Sequence, residues 1–256
     1  MPLSCVTITG SDDSTDPINL FELWQEFPFV EWGILISSNV RSRFPSTGWI
    51  QRLIEQRERS DNLMRLSLHV CGKYMRELEQ GHSTLFEALG QLLFAFKRVQ
   101  LNCNGHQKSH TEAKHVAMAL QSLKSLSLDA WNPTVIFQWR DFPDNFYEPT
   151  SKRFDCVGLF DGSGGRGTLP PEWPDQSIGI PCGWAGGLGP YNLEKELPRI
   201  DVKASSLMHY WIDMESKVRT ADRSMINMHA VSRCLEIAEP VVEAGILAKL
   251  KKLEAT

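Results

Sequence analysis

Residues 5–37 read CVTITGSDDSTDPINLFELWQEFPFVEWGILIS. Cys5 to Thr9 is a short β-branched run that stops at Gly10. Ile18, Leu20, Phe21, Leu23, Trp24 and Phe27 then recur at helical spacing. A second apolar run follows between Glu31 and Ser37, with Trp32, Ile34, Leu35 and Ile36. Strand, helix, strand in that order calls for two parallel strands joined by a crossover helix. The connecting turn, Thr9-Gly10-Ser11-Asp12, lacks the glycine-rich dinucleotide fingerprint, which speaks against an open doubly wound sheet.

The same unit repeats along the chain. Ser46 caps a helix through about Arg59, with Trp49, Ile50, Leu53 and Ile54 on one face. Leu63–Val70 reads as a third strand, Gly72–Gln80 as a helix ended by Gly81, and Thr84–Phe94 as a further short helix. Lys97–Asn102 is a fourth strand, and Ser109 caps the helix that carries Ala113, Val116, Leu120 and Leu123. Thr134–Trp139, Cys156–Phe160, Ser177–Trp184 and His209–Met214 complete eight strand candidates. A short helix is expected over Asn192–Leu197 and a final one over Ala221–Ala238. Eight β/α units in 256 residues fit a closed α/β fold, a (β/α)8 TIM barrel of a single domain. The barrel is expected to occupy residues 1–239, with 240–256 as a C-terminal helical tail.

Composition bounds the function. Apolar residues make up 42% and charged residues 23%, ordinary globular values that exclude a disordered chain, a collagen-like fibre and a coiled coil. The net charge of −4 offers no basic footprint for nucleic acid or an anionic membrane. Met1–Gly10 shows no basic region followed by a long apolar run, so no secretory signal is expected. Leu92–Phe96 is far short of the ~20 apolar residues of a membrane span. Cys5, Cys71, Cys103, Cys156, Cys182 and Cys234 are scattered without a C-x-x-C pair, which reads as reduced thiols in a cytoplasmic protein with no metal site. No cofactor is implied, and the oligomeric state stays open.

Sites in such barrels form on the loops after the strands. The sixth strand ends in Leu159-Phe160-Asp161-Gly162-Ser163-Gly164-Gly165-Arg166-Gly167, a carboxylate followed by glycines that let a ligand approach the backbone. The seventh ends in Trp184-Ala185-Gly186-Gly187-Leu188-Gly189-Pro190-Tyr191-Asn192, where Pro190 opens a helix suited to a phosphate at its N-terminus. The eighth ends at Asp213, a candidate ligand-binding carboxylate, followed by Ser216, Lys217, Arg219 and Thr220, all able to donate to an anion. The bland readings are a surface loop, a tight turn and a solvated helix start.

Taken in order with Val99-Gln100-Leu101-Asn102, these loops resemble phosphoribosylanthranilate isomerase. That family shows V-Q-L-H, then L-L-D with a G-G-T-G, then A-G-G-L-N-P-E-N, then V-D-V-S-S-G-V-E. The counterparts here are VQLN, LFDGSGGRG, WAGGLGPYN and WIDMESKVR, and VTITG stands where the family's opening K-I-C-G lies. The match is dense over about 155–220. The resemblance implies an Amadori rearrangement, an aldose-to-ketose isomerisation, which needs a general acid and a base for the C2 proton. It implies the acid at Asp161 and a phosphorylated small molecule as partner. It places the phosphate on Gly186, Gly187 and Ser216, with Gly164, Gly165, Lys217 and Arg219 beside them. Either Arg41 or Arg43 is the counterpart of the arginine that meets the anthranilate carboxylate.

The departures are as informative. The family's base is the cysteine of K-I-C-G, and Thr9 stands there; a threonine hydroxyl is a far poorer base than a thiol of pKa ~8.5. Cys5 is four residues upstream, at the other end of that strand. His69, Cys71 and Cys103 near the ends of strands three and four are either a relocated base or core residues. Lys217 replaces a family glycine and Arg219 a family glutamate, which makes the phosphate end more basic. The expected function is therefore a phosphate-ligand barrel with altered or lost isomerase activity. An active isomerase of phosphoribosylanthranilate or a related aminated sugar phosphate is one alternative, and a non-catalytic binder or sensor of a nucleotide or sugar phosphate is another. Gly187→Asp is expected to weaken phosphate binding without unfolding the chain.

Overall fold

The computed structural model describes residues 3–37, 43–82, 84–102, 110–127, 131–139, 150–175, 181–204 and 209–254. Arg41, Cys103, Gly105 and Ser109 lie outside these. Eight parallel strands close into a barrel in chain order, β1 (Leu3–Thr9), β2 (Val30–Ile36), β3 (Arg65–Val70), β4 (Arg98–Asn102), β5 (Thr134–Trp139), β6 (Cys156–Asp161), β7 (Cys182–Ala185) and β8 (Tyr210–Met214). β8 pairs back onto β1 with Thr7 beside Asp213, so no edge is left open. The chain is thus a (β/α)8 barrel of one domain.

Helices cover the outside. Asp16 caps α1 (Pro17–Glu26) by accepting from the Ile18 amide at 3.1 Å, with Pro17 at the first position. Ser46 caps α2 (Thr47–Arg59) from the Trp49 amide at 3.2 Å, and buries Trp49, Ile50, Leu53 and Ile54 as the periodicity predicts. α3 (Gly72–Glu79) follows β3, and α4 (Thr84–Leu89) ends where Gly90 takes φ +55°. Residues 90–95 continue as a 3-10 turn, so the single helix expected over Thr84–Phe94 is two pieces. α5 (His110–Ser125), α6 (Leu193–Lys203) and α7 (Met228–Glu254) complete the shell.

Three boundaries differ from expectation. α6 runs past Leu197 through Pro198 to Lys203. Pro190 sits in the turn before it, and Asn192 is the cap. The final helix starts at Met228, not Ala221, because residues 218–227 fold as a hairpin-like turn. There Thr220 N donates to Met225 O at 2.9 Å and Asn227 N to Val218 O at 2.8 Å. Asp222 Oδ1 locks that turn by accepting from Thr220 Oγ1 at 2.5 Å and Ser224 N at 3.0 Å.

Side chains alternate across each strand, so one set faces the helices and the other the barrel interior. The outer set joins the main core, with Val6, Ile8, Trp32, Ile34, Tyr210 and Ile212 among its members. The interior splits into two halves. Cys5, Ile136, Leu159, Ala185 and Trp211 form a separate apolar cluster. Opposite it, Glu31 Oε1 accepts from Arg98 at 2.8 Å and from Thr7 Oγ1 at 2.9 Å. The Arg98 guanidinium lies 4.4 Å over the Trp211 ring and joins the two halves.

Candidate functional site

Above these layers, at the C-terminal ends of the strands, lies a cavity of about 260 Å3. Its walls are the last inward-facing residues of the strands and the loops that follow. Thr9, His69, Gln100, Gln138, Asp161 and Asp213 come from six different strands. Gly164, Gly165, Gly167, Gly186 and Gly187 form one wall, and Arg43, Phe44, Glu215 and Ser216 the rim. The barrel therefore brings together most of the candidates read from the sequence.

Asp161 ends β6 with its carboxylate fully engaged. Oδ1 accepts from Ser163 N at 3.0 Å and Ser163 Oγ at 2.6 Å; Oδ2 accepts from Gly165 N at 2.7 Å and Gln138 Nε2 at 2.7 Å. Four donors leave Asp161 organising its glycine loop, and as a general acid it would have to break one of those bonds. Thr9 Oγ1 donates to Asp213 Oδ1 at 2.8 Å. Thr9 thus holds a carboxyl on the adjacent strand, β8. Burial pushes Asp213 up to about 8, with repulsion from Glu215, Asp161 and Glu31 adding to it and the Thr9 bond opposing it.

His69 is 1% exposed and its Nε2 has no hydrogen-bond partner. Burial pulls its imidazole down to about 3, with Arg98 adding to the effect, so it is neutral. Cys71 is no thiolate base. Burial raises it to about 12, although Asn102 Nδ2 donates to its Sγ at 3.0 Å. Gln138 and Gly33 escaped the sequence reading. Gln138 Oε1 is buried without a partner. Gly33 sits mid-strand in β2, and a Cβ there would overlap Thr9 Oγ1 and lie 3.0 Å from His69 Nε2. A glycine inside an apolar strand is the signal that could have found it.

The basic cluster does not assemble. Arg219 is buried in an ion pair with Asp12 at 3.1 Å, and donates to Gly10 O, to Arg223 O at 3.0 Å and to Ser224 O at 3.0 Å. These partners come from the loop after β1 and from its own turn, and Arg219 is no wall of the cavity. Lys217 packs its stem against Gly189, and it too lines no part of the cavity. Arg43 does reach the rim, where Glu215 holds it at 2.9 Å. Gly187 has φ +66°, and a Cβ would meet Leu169 N at 2.6 Å. Gly187→Asp would therefore push the two loops apart and is not the benign change expected from the sequence. The helix N-terminus behind Gly187 is not free for an anion either. Leu193 N donates to Gly189 O and Lys195 N to Asn192 O, both at 3.0 Å, and Glu194 and Glu196 occupy the first turn.

Among the described residues no group of three His, Cys, Asp or Glu side chains could hold a metal ion. No helix there is long and apolar enough to cross a membrane.

Fold and cavity together define a (β/α)8-barrel protein with a polar site at the C-terminal mouth. Solved structures share this fold. TrpF from Jonesia denitrificans is 15% identical over 93% of this chain and 97% of its own, with a TM-score of 0.55. A GH113 β-1,4-mannanase is 8% identical over 94% and 99%, with a TM-score of 0.53. Phospho-2-dehydro-3-deoxyheptonate aldolase from Thermotoga maritima is 9% identical over 95% and 69%, with a TM-score of 0.52. At these identities the likeness is one of fold. No family model matches the sequence, and no curated protein does.

Proposed function

We propose that the barrel mouth binds a small phosphorylated, hydroxylated molecule and that the isomerase chemistry implied by the motifs is altered. The observation that carries this reading is the composition of the cavity: one wall is glycine backbone from the loops after β6 and β7, and Thr9, His69, Gln100, Asn102 and Gln138 add neutral polar side chains beside the Asp161 and Asp213 carboxyls. Bare backbone suits an anion with several oxygens, while Gln138 Oε1 and His69 Nε2, both buried without partners, suit ligand hydroxyls. TrpF shares the fold, and the order of the loop motifs supports a sugar phosphate as the ligand class. Against unchanged isomerase chemistry, Thr9 donates to Asp213 where the family has a base, and Asp161 is held by its own loop. The only cation on the rim among the described residues, Arg43, is already paired, so anion affinity rests on backbone and is modest. The cysteines described are all free, which fits action in the reducing cytoplasm.

Calorimetric titration with inorganic phosphate and with ribose 5-phosphate tests the reading. Both are expected to bind in competition, and Ser216→Asp is expected to weaken both by about tenfold, or ~1.4 kcal/mol, through like-charge repulsion. Absence of binding by either would sink the phosphate assignment. Phosphoribosylanthranilate, whose fluorescence is lost on conversion, is expected to disappear no faster than without protein. Rapid loss abolished by Asp161→Asn would restore the isomerase reading.

A further inference from the structure

Two side chains meet over Gly33. Thr9 Oγ1 and the His69 ring crowd the space that a Cβ on this glycine would fill, and Thr9 in turn donates to Asp213 at 2.8 Å. His69 and Asp213 both line the cavity, and His69 Nε2 is buried there without a partner. Asp161, by contrast, has every acceptor position filled, and Glu215 is tied to Arg43. Asp213 is thus the carboxyl among the described lining residues that is neither saturated nor ion-paired.

We propose that Asp213 is the proton-transfer group of this site and His69 the neutral donor that polarises a ligand carbonyl, with Thr9 as a positioning residue for Asp213. The proposal rests on the reading of the mouth as a sugar-phosphate site and narrows the ligand to an aldose phosphate. The Asp213 carboxylate takes the proton from C2. The released electron pair forms the C1–C2 double bond, and the carbonyl pair moves onto O1, which accepts from His69 Nε2–H. The O2 proton then passes to O1, the C2–O2 double bond forms, and the C1–C2 pair takes the proton back from Asp213 at C1. A ketose results, both protein groups end as they began, and no co-reactant is consumed.

The electrostatics match these roles. A carboxylate whose proton affinity is raised to about 8 is a stronger base than an ordinary one. An imidazole held at about 3 donates a hydrogen bond and does not take the proton. The charged groups bearing on Asp213 are Glu215, Asp161 and Glu31, and Arg98 bears on His69.

The test follows exchange of the ribose 5-phosphate C2 proton in heavy water by proton NMR, with calorimetry on the same samples. Wild-type protein is expected to exchange it at a rate that rises with pH through an inflection at about 8. Asp213→Asn is expected to lower the rate by roughly a hundredfold or more. Thr9→Val is expected to move the inflection upward, because the lost hydroxyl favoured the carboxylate; a merely structural Thr9 would leave it in place. His69→Gln is expected to slow exchange. Binding without exchange, or exchange that survives Asp213→Asn, overturns the proposal. Absence of binding overturns the sugar-phosphate reading instead, and carbon-13 titration of the Asp213 carboxyl then decides this one: an inflection near the ordinary carboxylate value of ~4 overturns it.

Discussion

Asp213 and His69 are buried in the same cavity wall, and their linkage to stability runs in opposite directions with pH. Folded Asp213 holds its proton up to about 8 while the unfolded chain releases it near ~4, so its contribution is full at low pH and is lost as pH rises through that interval. Folded His69 stays neutral down to about 3 while the unfolded chain protonates near ~6.5, so its contribution is full above that and is lost as pH falls. Between about 6.5 and 8 only the Asp213 effect remains. Thermal melts across this window are expected to show wild-type stability falling with pH. Asp213→Asn is expected to give a flatter curve and to be the more stable protein at the alkaline end, by on the order of a few kcal/mol. A flat wild-type curve would contradict the raised carboxyl. Gly33→Ala belongs to the same few ångströms. The new methyl must displace Thr9 and His69, so urea unfolding should report a loss of roughly 1–3 kcal/mol. The sequence named Thr9, Asp161 and Asp213 from motifs, but motifs carry positions and not hydrogen bonds. Which carboxyl is saturated and which is poised depends on Ser163, Gly165 and Gln138 folding back on Asp161.

At the scale of elements, strand ends and helix starts with a local chemical cause were legible. Ser46 and its cap on α2 needed only the residues around them. The loop after β8 was not, because its structure is set across the barrel. Arg219 reads as an anion donor beside Lys217, yet its partners are Asp12 and Gly10 from the loop after β1. Those contacts join the first and last βα loops and leave 218–227 as a turn, which delays α7 to Met228. Arg219→Met should therefore strand the buried Asp12 carboxylate and cost roughly 3–5 kcal/mol in denaturant unfolding. Phosphate affinity measured by calorimetry on the folded variant should stay within about twofold of wild type, since ~0.4 kcal/mol is all that such a change represents. A tenfold loss of affinity with little loss of stability would return Arg219 to the phosphate site.

For the whole molecule, the closed sheet was legible because the outward residues of its strands make apolar runs between helical patterns. The interior was not, because its inward positions alternate with those runs and mix charge, glycine and aromatic. Glu31 interrupts one apolar strand and Arg98 opens another, and nothing local says that they meet. Closure of β1 through β4 brings them to 2.8 Å, with Glu31 2% and Arg98 18% exposed. Trp211 covers the guanidinium from β8, and Gly183 on β7 leaves room for the indole. The pair joins β2 to β4, and the Arg98 contact with Trp211 carries it across to β8, so its loss is a loss for the global fold. Arg98→Met leaves Glu31 buried with only Thr7 as donor and should cost roughly 3–5 kcal/mol. Glu31→Gln in the same chain removes the stranded charge, so the double variant should recover much of that loss. The four proteins of this cycle, unfolded in urea with fluorescence and far-ultraviolet dichroism recorded together, test both claims. Coincident transitions would mark one cooperative barrel. A double variant less stable than Arg98→Met would mean that the interior depends on the Glu31 carboxylate itself, through its bond to Thr7, and not on neutralising charge.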